Sequence, residues 1–187
     1  MIIKRGKVNQ TELSNALKQV KIEELGMICV DPALSFRERI SRAKLDSVDK
    51  LITASALHLT RKVRRKIVLY SGQTMTPYNH EGVRQLMWVN GDQPAGLDDA
   101  LAIALELFAC WYEKASWHRP ATGICFVGEK PVCTNHEGRP SVPKLEWVKW
   151  LGESEPSRKL VLSVSSLDCI TFTDDSTVYA AVRRRRS

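Results

Sequence analysis

The chain has no uninterrupted apolar run of about 18 residues, the length that a helix needs to cross a bilayer, so no segment is expected to span a membrane. The nearest approach, Leu97–Tyr112, is broken by Asp98, Asp99 and Glu106. A secretory leader is not expected either, because Met1–Lys7 is charged and no apolar stretch follows it. Residue 2 is Ile2 rather than Gly, which excludes N-myristoylation at that position. Neither G-x-G-x-x-G nor G-x-x-x-x-G-K-[ST] occurs, so the two common phosphate-cradling loops are missing. No nucleophile elbow is present. There is no paired C-x-x-C. The five cysteines (Cys29, Cys110, Cys125, Cys133 and Cys169) are odd in number and irregularly spaced, which suits free thiols in a reducing compartment.

These absences narrow the chemistry. Cys133-x-x-His136, with Cys125 and His118 upstream, is the nearest approach to a zinc site or a Cys/His nucleophile. Core thiols account for the same residues. The expectation is therefore a protein without metal, cofactor, small-molecule substrate or enzymatic activity.

What the chain does have is positive charge. The 187 residues carry 28 Lys+Arg against 21 Asp+Glu, a net charge of +7. Such a balance favours polyanions: nucleic acid, an anionic membrane or an acidic protein. The charge is clustered. Arg61, Lys62, Arg64, Arg65 and Lys66 fall within one short segment, and Arg183, Arg184, Arg185 and Arg186 are consecutive. Runs this dense repel themselves unless they are solvated or meet phosphate. Only Tyr70 lies near the first cluster, so stacking of single-stranded bases has little support. Trp147 and Trp150, flanked by Lys144 and Lys149, form a candidate interaction edge, with core packing as the alternative.

The fold is expected to be α+β: one domain over 11–182, a short basic arm at 1–10 and a basic tail at 183–187. The hydrophobic content of 43% is enough for one substantial core. Leu97–Tyr112 reads as a central helix, apolar on most sides, with Asp98 and Asp99 at the positive end of its dipole. Thr11 is placed to cap a helix reaching about Leu25. Ser35 and Glu38 have capping-box spacing. Leu51–Leu59 alternates and predicts a strand, followed by a basic turn over Arg61–Lys66 and a second strand at Ile67–Tyr70. Glu81–Val89 predicts a short helix and Asn90–Gly91 a turn. Further strands are expected at Ile124–Val127, Pro131–Thr134, Lys159–Val164, Ile170–Thr173 and Thr177–Val182. Leu145–Leu151 reads as an amphipathic piece. Helices that precede and interrupt a largely antiparallel sheet define the class.

Glu137-Gly138-Arg139-Pro140-Ser141-Val142-Pro143 resembles the acidic-Gly-Arg-x-x-x-Pro turn of rhabdovirus matrix proteins. The surrounding order is similar too: the helix Leu97–Tyr112, then Pro120–Ile124, then Asn135–Pro143. Downstream, Cys169–Ser176 is similar to the family's strand ending in Asp-Asp. The similarity covers roughly Leu51–Ser176. Departures are plain: neither P-P-x-Y nor P-[ST]-A-P occurs, and the Arg183–Arg186 tail has no counterpart in the pattern. The resemblance implies a virion protein that self-associates, condenses ribonucleoprotein and contacts the anionic inner leaflet. It would reside in the virion and host cytoplasm, with the nucleus also open to it. The alternative from charge alone is an RNA- or DNA-binding regulator using the same cations.

Overall fold

Nine strands form one mixed sheet among the described residues. They are β1 (Lys21–Val30), β2 (Ser47–Val48), β3 (Val63–Ser71), β4 (Gln93–Pro94), β5 (Gly123–Cys125), β6 (Cys133–Thr134), β7 (Pro140–Trp150), β8 (Ser157–Ser166) and β9 (Thr177–Val182). The computed structural model describes residues 20–71, 80–107, 123–128, 133–134, 137–150, 157–166 and 177–184. The strand order is β1-β3-β9-β5-β7-β8-β2, with β4 added to β9 and β6 to β7. Pairing is antiparallel except for β5 with β9 and β2 with β8. The class is α+β, as the mixture of patterns predicts.

Three helices among the described residues cover the sheet: α1 (Phe36–Arg42), α2 (His80–Val89) and α3 (Leu97–Glu106). Strand periodicity sorts the side chains between two faces. Ile67 and Leu69 of β3, with Val178, Ala180 and Val182 of β9, pack in the larger core with α3. Val68 and Tyr70, with Tyr179 and Ala181, pack in a second core with Val83, Leu86 and Met87 of α2. The sheet is thus covered on both sides, with β3 and β9 as adjacent interior strands.

Local chemistry explains several boundaries. Ser35 Oγ accepts from the Glu38 N–H at 3.2 Å, and the Glu38 carboxylate accepts from the Ser35 N–H at 2.8 Å. This is the capping box read from the sequence, and it holds the Glu38 carboxyl below its ordinary value. Gly91, at φ +81°, closes the turn after α2. Gly26, at φ +142°, makes a bulge where the β1–β3 register slips between Glu24 and Gly26.

Other expectations are corrected. Lys21–Leu25 is not the end of a helix but the first half of β1; residues 11–19 lie outside the described set. Leu51–Leu59 is not a strand. It holds a 3-10 turn at Ala54–Ala56, and the His58 and Leu59 N–H groups donate to the Asp98 carboxylate rather than to a ladder. Leu145–Leu151 keeps its amphipathic reading: its residues up to Trp150 lie in β7, where Leu145 and Trp147 face the larger core and Val148 is exposed. Helix α3 ends at Glu106 with Leu107 as its cap, and residues 108–122 lie outside the described set. Leu105, within the helix read as apolar on most sides, is exposed.

One glycine is required by packing. A Cβ on Gly123 would lie 2.8 Å from the Leu145 carbonyl oxygen and 2.9 Å from Glu146 Cβ, both on the neighbouring strand. Gly123→Ala is expected to cost about 2 kcal/mol of stability, because an overpacked backbone site must move strands apart. Urea denaturation checks this, and an unchanged midpoint would contradict it.

Candidate polyanion-binding groove

The first basic segment is not a turn. Arg61 and Lys62 precede β3, and Arg64, Arg65 and Lys66 lie within it. β3 runs antiparallel to β9, with Ile67 opposite Val182. The Arg183 N–H donates to the Lys66 carbonyl at 2.8 Å. The two basic clusters, far apart in sequence, therefore end up side by side. Together they line one groove of about 1350 Å3, with Arg64, Arg65, Lys66, Arg183 and Arg184 on its walls. Ile22, Met27, Val182 and the Asn90–Asp92 turn complete the lining.

Strand parity divides the cations. Arg64 and Lys66 alternate with Arg65, so they share the face of Val68 and Tyr70. Arg183 continues the face of Tyr179 and Ala181. Arg65 turns to the opposite side, where its Nη1 donates to both oxygens of Asp99 at 2.9 and 3.0 Å. Asp99 is only 2% exposed. Burial pushes its carboxyl up, against the pull of the Arg65 guanidinium and the Gly96 N–H. Arg65 is consequently a fastened structural cation.

The remaining cations differ in how they are held. Lys62 pairs with Asp31 at 3.0 Å, and that contact keeps the Asp31 carboxyl low. Lys66 pairs with Glu24 at 2.7 Å. Both pairs are exposed and worth little in water. Arg61, Arg64 and Arg184 have no ion pair among the described residues. Arg185 and Arg186 lie outside the described residues.

The groove floor is a polar network that the sequence reading did not anticipate. Asp92 is 4% exposed. It accepts from the Tyr70 hydroxyl at 2.6 Å, from the Asn90 amide at 3.3 Å, and from Arg183 Nε and Nη2 at 3.3 and 3.1 Å. Burial and the hydrogen bond to Asp92 push the Tyr70 phenol well above its ordinary value, so it stays a neutral donor. Asp92 thereby fixes Arg183 by a charge-assisted fork. The only sequence signal was Asn90-Gly91, read simply as a turn, with Asp92 next to it.

No protein-family model, curated protein or solved structure matches the chain. Its chemistry has to be read from its own residues.

The other candidates separate from the groove. Trp147 is half-buried against the larger core, and the Trp150 side chain lies outside the described residues. Cys125 is buried, Cys133 is half-buried with its thiol pushed up by burial, and His136 lies outside the described residues. No group of three or more His, Cys, Asp and Glu side chains is arranged to hold a metal among the described residues. No helix among them is long and apolar enough to cross a membrane.

Three of the exposed large apolar side chains lie at or beside the groove. Met27, which lines it, is 53% exposed. Trp88 and Val89, at 45% and 46%, directly precede its Asn90–Gly91 wall. Cations beside exposed Trp and aliphatic groups suit a polar–apolar boundary.

Proposed function

We propose that this is a non-enzymatic structural protein of viral matrix type, which uses the groove to hold phosphate-bearing polyanions. The observation that carries this reading is the meeting of the two basic clusters across the β3–β9 pair. In this role the protein self-associates, with one polyanion being the anionic inner leaflet and another the ribonucleoprotein. The exposed Met27, Trp88 and Val89 support the membrane contact, since a basic patch binds a bilayer more firmly when apolar groups enter the interface. The resemblance in Glu137–Pro143 supports the matrix assignment: Gly138 sits in a turn at φ +74°, and β7 begins two residues later at Pro140. The virion and host cytoplasm are the corresponding locations.

The test is sedimentation of the protein across a salt series, with phosphatidylserine vesicles and with RNA. The double variant Arg64→Glu/Arg184→Glu removes two cations that hold no ion pair among the described residues. It is expected to weaken vesicle binding by at least tenfold, roughly 1 kcal/mol per basic residue lost at an anionic surface plus the repulsion from the new charges. Unchanged vesicle and RNA binding would remove the groove from the proposal. RNA binding with a steep salt dependence, and no vesicle binding or assembly, would favour a nucleic-acid regulator instead.

A further inference from the structure

The groove's cations lie close together. Lys66 and Arg183 are neighbours on adjacent strands, which lie roughly 4.8 Å apart, and Arg64 is two residues along β3 from Lys66, roughly 6.6 Å away. All three lie on one sheet face, and Arg184 stands next to Arg183 on the same rim. An extended nucleic-acid backbone is held by contacts spread over about 6–10 phosphates. Among the described residues, Arg64, Lys66, Arg183 and Arg184 reach fewer. They concentrate their charge on one spot instead, in a concavity of about 1350 Å3, about a third larger than the roughly 1,000 Å3 upper end of small-molecule sites.

From this geometry we infer that the groove seats a compact polyphosphate, a ring polyol bearing phosphates on neighbouring carbons, as in inositol polyphosphates and the headgroups of phosphoinositides. The inference rests on the polyanion reading above and narrows its ligand. Arg183 is prepared for such a ligand. Its Nε and Nη2 are fixed on buried Asp92, so the guanidinium enters the groove already oriented, which reduces the entropy lost on binding. Lys66 is held only by an exposed pair with Glu24, which a phosphate can displace at small cost. Arg64 has no ion pair among the described residues. Met27 and Ile22 give the groove an apolar wall for the C–H face of a ring.

Calorimetric titration of the full chain at about 0.15 M salt tests this. The probes are inositol hexakisphosphate and inorganic phosphate. Inositol hexakisphosphate is expected to bind one per chain, about a hundredfold tighter than inorganic phosphate, because several charge-assisted contacts form at once. Arg64→Gln/Arg184→Gln is expected to lower that affinity at least tenfold, while Lys50→Glu, on a remote exposed loop, leaves it unchanged. A circular-dichroism melt of each variant separates lost binding from lost fold. Vesicles carrying phosphatidylinositol bisphosphate, compared with phosphatidylserine vesicles of equal charge, distinguish the sources. Preference for the former, competed by free inositol hexakisphosphate, identifies a lipid headgroup; binding of the free compound with no vesicle preference identifies a soluble ligand. Inositol hexakisphosphate binding no tighter than inorganic phosphate overturns the inference. If RNA or phosphatidylserine still binds through Arg64 in that case, the polyanion reading stands without it. If nothing binds, both fall.

Discussion

Asp98→Ala is expected to lower the unfolding free energy by about 3–5 kcal/mol, the cost of stranding one member of a buried ion pair. Asp98 opens α3 yet is barely exposed. One carboxylate oxygen accepts from Arg39 Nη1 at 2.7 Å, and the other accepts from the His58 N–H at 2.8 Å and the Leu59 N–H at 3.3 Å. Arg39 is equally enclosed, and its Nε donates to the Leu34 carbonyl at 3.0 Å. A single carboxylate therefore joins α1, α3 and the 57–59 segment. Its removal leaves a guanidinium and two backbone donors without their acceptor in a water-poor site. Typical domains are stable by only about 5–15 kcal/mol, so this variant stands near the limit of folding. Urea denaturation followed by far-ultraviolet circular dichroism measures the loss. The pair Arg39→Met/Asp98→Leu separates the causes. If the stranded charge is the main cost, the double variant recovers most of the stability. If it is as unstable as Asp98→Ala, the backbone donors of His58 and Leu59 account for the loss.

The same carboxylate shows why parts of the fold were legible in the sequence and parts were not. Ser35–Glu38 was legible because a capping box is closed within four residues. Ile67–Tyr70 and Thr177–Val182 were legible because their residues pack on both faces of a covered sheet, and such strands read as apolar runs. Leu51–Leu59 was not legible. Its alternation fits a strand, but Asp98, far along the chain, takes two of its N–H groups, and long-range contacts override local pattern. Arg61–Lys66 misled for another reason. A dense cationic run reads as a solvated turn, yet on β3 its members alternate between faces, and Asp99 absorbs the inward one. The groove itself depends on the β3–β9 register, which no local pattern encodes. The cations were therefore identifiable one by one, while their meeting was not, and neither was the Asp92 network beneath them.

Acidification from pH 7 to pH 4 is expected to cost about 3 kcal/mol of stability through His80 alone. His80 begins α2 and is wholly enclosed. Its Nδ1 lies 3.2 Å from the Tyr179 hydroxyl and its Nε2 lies 2.9 Å from Ser165 Oγ, with the Tyr179 ring edge-on at 5.5 Å. Neither neighbour carries charge to balance an imidazolium. Burial, and after it the nearby cations Lys144 and Arg84, lower its pKa from 6.5 to about 4. The unfolded chain takes up this proton at about pH 6.5, while the folded chain resists until about pH 4. The contribution is thus fully present above about pH 6.5 and is lost as the pH falls towards 4. The gap is about 2.5 pH units, each worth about 1.36 kcal/mol. Carboxylates held low in the folded chain, Asp31 and Glu38 among them, lose stability further down, so the variant His80→Gln supplies the reference. Gln keeps a donor and an acceptor for Ser165 and Tyr179 but cannot titrate. Unfolding free energies measured between pH 7 and pH 4 should fall about 3 kcal/mol further in the natural chain than in His80→Gln, with about two-thirds of the difference in place by pH 5. Parallel profiles for the two proteins would mean that His80 charges without penalty, and that the enclosure between α2, β8 and β9 opens to water before the molecule unfolds.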